Sequence, residues 1–567
     1  MDSFNIWPRL RALAYKNGSF PSPDRLDLFF TMSFSAEKDV KLSTQHDENI
    51  DESVAEIIRD QATGEISEAA VRAEGEEKVT FFVWVLVFVS SYDTGVISGT
   101  LVTIGSDLGP EQLSNTQKEL ITSATTLGAL LGGLAAGMIS DFVGRKPVLA
   151  AANVVFIGGA IAQAVCHTVA AMIGGRFLIG IGVGLAACMA PLFIAELSPT
   201  KLRGRLVTVN VVFITAGQVI AYGIGAAFES SPGGWRWMVG LGAVPAGLQL
   251  IMLPFLPESP RILVRGGKLE EAEKNMAKIY AHATPEQVAQ KVKLLRASVQ
   301  ESIDIQNSTT FLERFRSIIT VPVNRRALIV ACGLQGFQQL CGFNTLVYYS
   351  ATLFKSIGFD KPTAVGLIIA GTNFIFTMVA LKYIDIIGRR KIMIFTPPGM
   401  IFGLVLASIS FYYLTKNTGG VLVDGAEYPK SWSSLVLFSM VFYVASYATG
   451  LGNVPWQASI QSELFALDVR GIGASIATSA NWAANLVIGA TYLSLMHAIT
   501  PSGAFGFYAG LCLLGWLFCI FCYPETAGLS LEEVKLIFRN DFGIKASERL
   551  RATKKELGER GHEPQSP

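Results

Sequence analysis

Long apolar stretches separated by short polar connections cover most of this 567-residue chain. An α-helix needs about 20 apolar residues to cross a bilayer core of about 30 Å. By this rule the sequence predicts about twelve transmembrane helices. They lie near residues 80–104, 118–139, 147–167, 171–194, 206–227, 235–255, 326–350, 363–384, 391–413, 433–455, 472–497 and 503–523. The pattern therefore predicts an all-α membrane protein.

Three segments are too polar to be membrane helices. Residues 1–79 are polar, and their acidic second half is typical of a mostly disordered tail. Residues 269–280 and 285–299 have helical periodicity with charged faces, which predicts short helices between two groups of spans. A charged tail follows Glu525 and begins with an amphipathic stretch around residues 529–538. The predicted organisation is a tail (1–79), a first bundle (80–260), a linker (261–322), a second bundle (323–525) and a second tail (526–567).

Three short signatures of the first bundle recur in the same order in the second. Asp141 to Lys146, which reads DFVGRK, returns as Asp385 to Arg390, which reads DIIGRR. Glu196-Leu197 with Arg203-Gly204 returns at the same spacing as Glu463-Leu464 with Arg470-Gly471, and Pro257-Glu258-Ser259 is echoed by Pro524-Glu525-Thr526. This repetition predicts a duplicated membrane bundle, and such proteins hold a substrate between their halves near the bilayer midplane. A transporter is the function that this organisation indicates.

The composition agrees with a chain that faces lipid. Hydrophobic residues make up 50% of it and charged residues only 16%, whereas soluble proteins carry about 25% charged residues. With 46 basic and 45 acidic residues, there is no charge excess that would favour nucleic acid. The seven cysteines lie in apolar segments without metal-ligand spacing, so we expect no metal site and no cofactor. No nucleophile–base pair or phosphate loop in the sequence indicates an enzyme.

The basic residues predict the orientation of the chain. The connections that hold Arg145, Arg203, Arg389 and Arg470 are basic, whereas the intervening connections have little excess positive charge. Because Lys and Arg near the ends of spans stay in the cytoplasm, we expect these connections to be cytoplasmic. An even number of spans then places both termini in the cytoplasm, and we expect the plasma membrane as the location.

Over about residues 80–540 these motifs resemble the sugar-porter family of the major facilitator superfamily. The resemblance depends on the duplicated Asp-x-x-Gly-Arg loop, the Gln338-Gln339 pair and the two Pro-Glu signatures. Within the family, residues 92–99, 338–345 and 452–457 look most like fungal myo-inositol transporters. The resemblance implies two pseudo-symmetric six-helix bundles that work by alternating access. It also implies that protons and a small neutral sugar or polyol are transported together.

A carboxylate, Asp93, lies midway along the first predicted span. A charged side chain at the bilayer centre costs about 2.5–3.5 kcal/mol on insertion scales, so such a residue is a functional candidate. Its predicted partner is Arg176, near the start of the fourth span. Desolvation disfavours the charged form of an aspartate and a nearby arginine favours it, so an Arg176 that approaches in one conformation only would make Asp93 a proton carrier. The alternative is a structural ion pair, and the resemblance favours the proton carrier.

A neutral cyclic polyol presents only hydroxyls, so its site needs groups that donate and accept hydrogen bonds and an aromatic wall. Tyr348 offers both an aromatic ring and a hydroxyl. For Asn373 and Asn485, a hydrogen bond between helices is an equal alternative to a ligand contact. The gap between Trp456 and Glu463 is longer than is usual in sugar porters, which weakens the assignment of Trp456. Matched to the sugar-porter pattern, the ligand-lining positions are Gln218, Gln338, Gln339, Asn344, Asn373, Trp456, Asn481 and Trp482.

Charged residues of the repeated signatures form a second candidate cluster on the predicted cytoplasmic side. They are Asp141, Arg145, Glu196 and Arg203 in the first half and Asp385, Arg389, Glu463 and Arg470 in the second, joined by Glu258 and Arg261. One interpretation is topology alone, because positive charge stays inside. The other is a network of salt bridges that closes an inner gate. Retention of positive charge in the cytoplasm needs no acidic residues, so the pairing of acidic with basic residues favours the gate.

The leading hypothesis is proton-coupled import of myo-inositol by alternating access. A hexose or another polyol is the first alternative cargo, because the orientation of one hydroxyl distinguishes such rings. A facilitator without proton coupling and a non-transporting nutrient sensor are further alternatives. Sensors of this family usually carry long cytoplasmic tails, and the short C-terminal tail argues against a sensor.

Overall fold

The computed structural model describes residues 92–198, 200–280, 283–423, 426–455, 464–465, 469–526, 537–539, 541–549 and 551. Within these ranges, the side chains of residues 92–94, 137, 138, 140–142, 200–208, 305, 306 and 385 are not described. The first tail lies outside the described residues, together with positions 80–91 of the first predicted span and much of the second tail. The division of the chain into five segments therefore stays a prediction.

The helices of the first bundle follow one another through short connections. They are α1 (Tyr92–Thr103), α2 (Asn115–Val143), α3 (Arg145–Ala164), α4 (Val169–Leu197), α5 (Thr200–Phe228), α6 (Gly234–Gly240) and α7 (Ala243–Met252). A 3-10 turn, Leu253–Phe255, extends α7. The combined segment Gly234–Phe255 is long enough to cross a membrane. The α1 helix corresponds to the last part of the first predicted span, which is the part that the structure describes.

Four linker helices follow the first bundle: α8 (Pro260–Arg265), α9 (Leu269–Ile279), α10 (Pro285–Ser308) and α11 (Phe311–Thr320). The helices predicted at 269–280 and 285–299 are confirmed as α9 and α10, although α10 is longer than predicted. Capping boxes begin α10 and α11. In the second box, the carboxylate of Glu313 accepts a hydrogen bond from the backbone N–H of Thr310. This bond lowers the pKa of Glu313, because it favours the charged form.

The second bundle contains two breaks. Its helices are α12 (Pro322–Leu340), α13 (Phe343–Ser356), α14 (Pro362–Ile387), α15 (Arg389–Phe395), α16 (Pro397–Thr415), α17 (Lys430–Thr449) and α18 (Arg470–Cys522). The α18 helix leaves helical dihedrals at Ile499 and Thr500, so it makes two passes, in agreement with the two spans predicted there. Between α12 and α13, Gly342 has a φ of 87°, a value that favours glycine. The sequence pattern predicted one unbroken span at that place.

The membrane-spanning helices agree with the predicted fold class. Within the described residues nine helices are long and apolar enough to cross a membrane, or ten if α11 and the segment after it count as one bent span. The α18 helix, with 53 residues, counts once among them although it makes two passes. Large apolar side chains such as Ile251, Phe255, Phe395 and Phe521 stay exposed, which suits a surface that faces lipid. The described part of the chain contains no strand, and the all-α membrane fold is confirmed.

Helices α2 and α4 pack very closely because glycines line their contact. A Cβ atom on Gly180 would lie 2.2 Å from the carbonyl oxygen of Thr125, and one on Gly184 would lie 2.2 Å from that of Ala129. The hydroxyl of Thr125 also donates to the carbonyl oxygen of Arg176 at 3.2 Å. Small residues allow such close approach in lipid, where apolar attraction contributes little. The first bundle therefore holds α2 and α4 as a tight pair.

The chain path defines two ends of the bundles. The linker side is the end where α2 gives way to α3, α7 to the linker and α14 to α15. On this side, Nζ of Lys146 donates to the carbonyl oxygen of Leu256 at 2.7 Å, which joins the start of α3 to the end of the first bundle. The far side is the opposite end, where α1 ends, α2 begins and α18 is broken.

Candidate functional site

Five side-chain amides of α12, α13 and α18 form the polar centre of the second bundle. This amide cluster consists of Gln335, Gln338, Gln339, Asn344 and Asn481. Nδ2 of Asn481 donates to Oε1 of Gln335 at 2.6 Å and to Oε1 of Gln338 at 2.9 Å. Nε2 of Gln339 donates to Oδ1 of Asn481 at 3.1 Å, and Nδ2 of Asn344 donates to Oε1 of Gln339 at 2.6 Å. The structure thus brings predicted substrate positions from three helices together.

Gln335 belongs to this cluster, although the sequence analysis did not single it out. Its Nε2 donates to the carbonyl oxygen of Pro455 at 2.8 Å, and Nε2 of Gln338 donates to that of Gly452 at 3.0 Å. These bonds tie α12 to the segment that precedes Trp456. A signal for Gln335 was available, because positions three and four residues apart share one face of a helix, and Gln338 and Gln339 lie at those spacings.

The amide cluster keeps hydrogen-bonding capacity beyond its own bonds. A side-chain amide has two donor hydrogens and an acceptor oxygen with two lone pairs. Within the cluster, Gln339 donates one hydrogen and accepts one, while the half-buried Asn344 donates one. The remaining groups match the hydroxyls of a polyol, since each hydroxyl also donates and accepts.

Aromatic side chains lie beside the amide cluster. The amide of Asn485 donates to the hydroxyl of Tyr348 at 3.1 Å. Trp482 is 8% exposed, and its buried Nε1–H has no hydrogen-bond partner among the residues that the structure describes. Its Cδ1 atom lies 3.9 Å from the place of a Cβ on Gly133, so the ring reaches α2 of the first bundle. A buried indole donor normally has a partner, so the N–H of Trp482 has unused hydrogen-bonding capacity.

Gln218 and Asn373, two further predicted substrate positions, contact each other across the bundles. Nδ2 of Asn373 in α14 donates to Oε1 of Gln218 in α5 at 3.0 Å. Both residues are buried. In this conformation Asn373 makes the interhelical hydrogen bond that was the alternative to a ligand contact.

The predicted proton-coupling pair is only partly described. Arg176 lies in α4, and only 2% of it is exposed. The backbone of Asp93 lies in the first turn of α1, but its side chain is outside the described atoms. The ion pair between Asp93 and Arg176 therefore stays a prediction.

On the far side, hydroxyl groups join the two bundles. The far-side cluster consists of Ser98 in α1, Tyr222 in α5 and Ser350 in α13. The Oγ atoms of Ser98 and Ser350 are 3.0 Å apart, and the hydroxyl of Tyr222 is 2.8 Å from Oγ of Ser350. Tyr222 also donates to the carbonyl oxygen of Val347, and Ser98 accepts from the backbone N–H of Ala351 at 3.0 Å. These contacts close the cleft between the bundles on the far side.

On the linker side, Arg145 and Glu196 form a bidentate ion pair within the first bundle. Nε of Arg145 donates to Oε2 of Glu196 at 3.1 Å, and Nη2 donates to Oε1 at 2.9 Å. Their side chains are 5% and 9% exposed. Two parallel N–H···O bonds give such a pair fixed geometry as well as strength. The pair joins α3 to α4, both of which carry residues of the predicted gate network.

Two glutamates occupy equivalent places in the two bundles. A Cβ on Gly144 would lie 3.3 Å from Oε2 of Glu258, and one on Gly388 would lie 2.7 Å from Oε2 of Glu525. Glu525 also accepts from the backbone N–H of Arg390 at 3.1 Å. Each carboxylate thus lies at the N-terminus of the helix that follows the repeated DxxGR signature, where the helix dipole favours negative charge.

The other predicted gate positions are described in part. Nη2 of Arg261 in α8 donates to the hydroxyl of Ser302 in α10 at 3.3 Å, a bond within the linker that the sequence did not predict. Arg389 begins α15 and Arg470 begins α18. The side chains of Asp141, Arg203 and Asp385 and the whole of Trp456 and Glu463 lie outside the described residues. The complete network and the contribution of Trp456 stay predictions.

Residues 79–538 match the family of sugar (and other) transporters. The chain is 57% identical over 514 residues to Myo-inositol transporter 1 of Cryptococcus neoformans var. grubii, which covers 89% of this chain and 90% of that protein. This chain belongs to the sugar transporter family. It is also 44% identical over 487 residues to Myo-inositol transporter 1 of Saccharomyces cerevisiae, with 86% of this chain and 83% of that protein covered.

Solved structures of transporters resemble this family member over most of its length. One is the proton:xylose symporter XylE bound to 6-bromo-6-deoxy-D-glucose, with a TM-score of 0.66, 28% identity, and coverage of 84% of this chain and 99% of that one. Another is a partially occluded inward-open conformation of XylE from E. coli, with a TM-score of 0.64, 27% identity, and coverage of 82% and 99%. This sugar transporter therefore has the major facilitator fold and is a multi-pass membrane protein. It is not an enzyme.

Proposed function

We propose that this chain imports myo-inositol together with protons by alternating access. The amide cluster, with Trp482 and Tyr348 beside it, is the observation that carries the proposal. Neutral amides that donate and accept hydrogen bonds, together with aromatic rings, suit a neutral cyclic polyol. Two fungal relatives named as myo-inositol transporters, 57% and 44% identical to this chain, support the choice of substrate.

In this proposal the substrate lies between the bundles and contacts both. The amide cluster binds its hydroxyls from the second bundle, and Trp482 donates its unpartnered N–H. The Gln218–Asn373 bond crosses the same cleft at 3.0 Å, so both amides can exchange that bond for substrate hydroxyls when the cleft changes shape. The proposed substrate residues are Gln218, Gln338, Gln339, Asn344, Tyr348, Asn373, Trp456, Asn481 and Trp482.

Proton coupling is assigned to Asp93 and Arg176. The burial of Arg176 supports this assignment, because a charge inside a membrane protein is costly and marks functional positions. Asp93 binds a proton when the site faces outward and releases it when Arg176 approaches in the inward-facing state. An inward-negative membrane contributes about 2.3 kcal/mol per charge per 100 mV, which suffices to concentrate a neutral solute.

The orientation follows from the basic residues of the linker side. We place this side in the cytoplasm together with both termini, and the protein in the plasma membrane. The far side then faces the exterior, and its hydroxyl contacts make this conformation closed to the outside. The charged residues of the repeated signatures would close the cytoplasmic side in the other half of the cycle, and the Arg145–Glu196 pair would hold the ends of α3 and α4 in place for them.

Uptake of radiolabelled myo-inositol tests this proposal in a host that lacks inositol transport. We expect faster uptake at the lower of two external pH values, and loss of accumulation when a protonophore is added. Uptake that only equilibrates inositol across the membrane and ignores both treatments would make the protein a facilitator. Absence of uptake in a host that displays the protein on its surface would favour a sensor.

The Asp93→Asn variant tests the proton carrier. Concentrative uptake should be abolished, while exchange of internal for external inositol is partly retained, because exchange needs no net proton movement. The exposed Asp360, on the far side, supplies the control variant Asp360→Asn, which should accumulate inositol as the unaltered protein does. Full accumulation by Asp93→Asn would remove the proton role of this residue.

A hexose or another polyol is the second candidate cargo. The similarity to structures of a proton:xylose symporter, at 27–28% identity, favours it. Competition in the uptake assay separates the two candidates. Inhibition by unlabelled inositol and not by glucose is expected, and the reverse result would assign the site to a hexose.

A further inference from the structure

A buried carboxylate near the start of α2 bonds to the second bundle. Glu119 is 4% exposed, although it lies only four positions after Asn115, where α2 begins. Its Oε1 accepts a hydrogen bond from the backbone N–H of Ser494 at 2.8 Å, and its Oε2 accepts one from the hydroxyl of Ser494 at 2.6 Å. Ser494 belongs to α18 and lies shortly before the break at Ile499. Both bonds therefore cross from one bundle to the other on the far side.

Both carboxylate oxygens of Glu119 accept a hydrogen bond from Ser494. Hydrogen bonds from a hydroxyl to a carboxylate are typically about 2.5–2.7 Å long, in agreement with the 2.6 Å between Oγ of Ser494 and Oε2 of Glu119. A buried carboxylate is costly unless donors satisfy it. Here each oxygen has a donor, and both donors come from one residue of the opposite bundle. The carboxylate is therefore satisfied across the cleft.

The same stretch of α18 is held by a second helix. The hydroxyl of Tyr349 in α13 donates to the carbonyl oxygen of Gly489 at 2.7 Å. Its ring stacks on Tyr492 with centroids 5.4 Å apart and an interplanar angle of 16°. Tyr349 and α18 belong to the same bundle, so this contact fixes the stretch within the second bundle. Glu119 then anchors the fixed stretch to the first bundle.

We propose that Glu119 and Ser494 form a latch that holds α2 to α18 while the far side is closed. The proposal rests on the proposed alternating-access function, because the two helices must separate at this end to admit solute from the exterior. When they separate, water replaces Ser494 as the donor to Glu119. The latch is distinct from the far-side cluster of Ser98, Tyr222 and Ser350, which joins α1 and α5 to α13.

The latch stabilises the closed conformation by a free-energy difference. This is the difference between the hydrogen bonds of Glu119 with Ser494 and those that Glu119 makes with water in the open conformation. A contact that exists in one state only shifts the equilibrium by its differential free energy. Hydrogen bonds to charged groups are stronger than neutral ones, and we expect the loss of one bond from the pair to shift the equilibrium at least tenfold. Opening therefore stays possible, and the closed state is preferred when no solute is bound.

Cysteine accessibility measures this preference without transport of any solute. Thr126 lies seven residues after Glu119, which places it on the same face of α2, and it is 2% exposed. The reporter Thr126→Cys is combined in turn with Ser494→Ala, with Glu119→Gln and with both. A membrane-impermeant maleimide is added to intact cells, and the chain without the reporter gives the background from the seven native cysteines.

Ser494→Ala should raise the labelling rate about tenfold, because it removes one of the two donors. Glu119→Gln should raise it about threefold, since neutral hydrogen bonds are about half as strong as charge-assisted ones. The double variant should label less than the product of these two increases, because the two residues share one contact. The matched control is Ser475→Ala, since Ser475 is half-buried in the same helix and its hydroxyl donates to the carbonyl oxygen of Gly471 of that helix.

An unchanged labelling rate in Ser494→Ala would overturn the latch, and so would an equal increase in the control Ser475→Ala. A double variant whose labelling rate rises by the full product of the two single increases would also overturn it. Surface expression of each variant is measured in parallel. If Glu119→Gln does not reach the surface, Ser494→Ala against its control decides alone. Since labelling requires neither inositol nor protons, a failed latch is distinguishable from a failed assignment of substrate.

Discussion

On the far side, hydroxyl groups and the carboxylates of Glu119 and Glu229 bond from one bundle to the other. The buried ion pair and the capping carboxylates of the linker side, in contrast, stay within single bundles. Ser98, Tyr222 and Glu119 reach partners in the second bundle. Arg145 and Glu196 both belong to the first bundle, and Glu525 lies against a helix of its own bundle. The far-side contacts must break when the bundles rock, but these linker-side contacts can persist.

Charged and neutral contacts therefore have different roles in the molecule. Paired charges within a bundle fix the ends of α3, α4 and α15, so each bundle can move as a rigid body. The bonds between bundles are mostly neutral and can be replaced by water, which keeps the closed state from being too stable to open. Proteins that alternate between two states need such a small free-energy difference.

The largest expected effect comes from breaking the ion pair inside the first bundle. Glu196→Ala leaves the guanidinium of Arg145 buried without its two carboxylate bonds, and loss of one partner of a buried pair costs about 3–5 kcal/mol. Thermal unfolding of the purified protein in detergent should show a clearly lowered midpoint. The control is Glu271→Ala, because its pair with Lys268 is exposed, with side chains 57% and 62% accessible, and exposed pairs contribute about 0–1 kcal/mol. Equal midpoints for the two variants would show that the buried pair does not stabilise the bundle.

A smaller effect is expected from the amide cluster, which belongs to the second bundle alone. Gln339→Ala removes an amide that bonds Asn344 and Asn481, and a lost hydrogen bond costs about 1–2 kcal/mol. The apparent affinity for the transported solute should fall about tenfold, with surface expression unchanged. Far-side labelling of the Thr126→Cys reporter should stay the same. Gln300→Ala in the exposed face of the linker is the control, and an unchanged affinity in Gln339→Ala would remove this residue from the site.

The smallest effect is expected from the far-side cluster. Tyr222→Phe keeps the ring but removes the hydroxyl that contacts Val347 and Ser350. A neutral hydrogen bond contributes about 1 kcal/mol net, so far-side labelling should rise about fivefold while the unfolding midpoint changes little. Tyr412→Phe, in which the altered ring is 57% exposed, should leave labelling unchanged. A midpoint that falls without a rise in labelling would make Tyr222 a residue of the core and not of the closed cleft.

The transmembrane helices could be predicted from sequence because bilayer thickness fixes their length. The linker helices α9 and α10 followed from periodicity, and the break in α18 lies in the gap between the spans predicted at 472–497 and 503–523. The break at Gly342 was missed, because a glycine inside an apolar span usually serves close packing. Only the backbone shows that this one has a positive φ.

The sequence predicted most residues of the candidate site, but it did not predict which of them hydrogen-bond to each other. Gln338, Gln339 and Asn344 lie close in sequence, so their proximity was expected. The contacts of Asn481 with Gln335 and of Gln218 with Asn373 join residues far apart in the chain, and nothing local encodes them. Glu119 was missed because it follows a polar helix start, where an acidic residue looks like part of the water-facing end.

The glycine at position 342 makes a joint between α12, which carries three amides of the cluster, and α13, which carries Ser350 against the opposite bundle. Glycine adopts a φ of 87° without steric penalty, so the chain can break between α12 and α13 while both flanking helices remain intact. The amides that we propose to bind the solute and the hydroxyl of Ser350 that contacts the opposite bundle therefore lie mainly on different helices, on the two sides of one glycine.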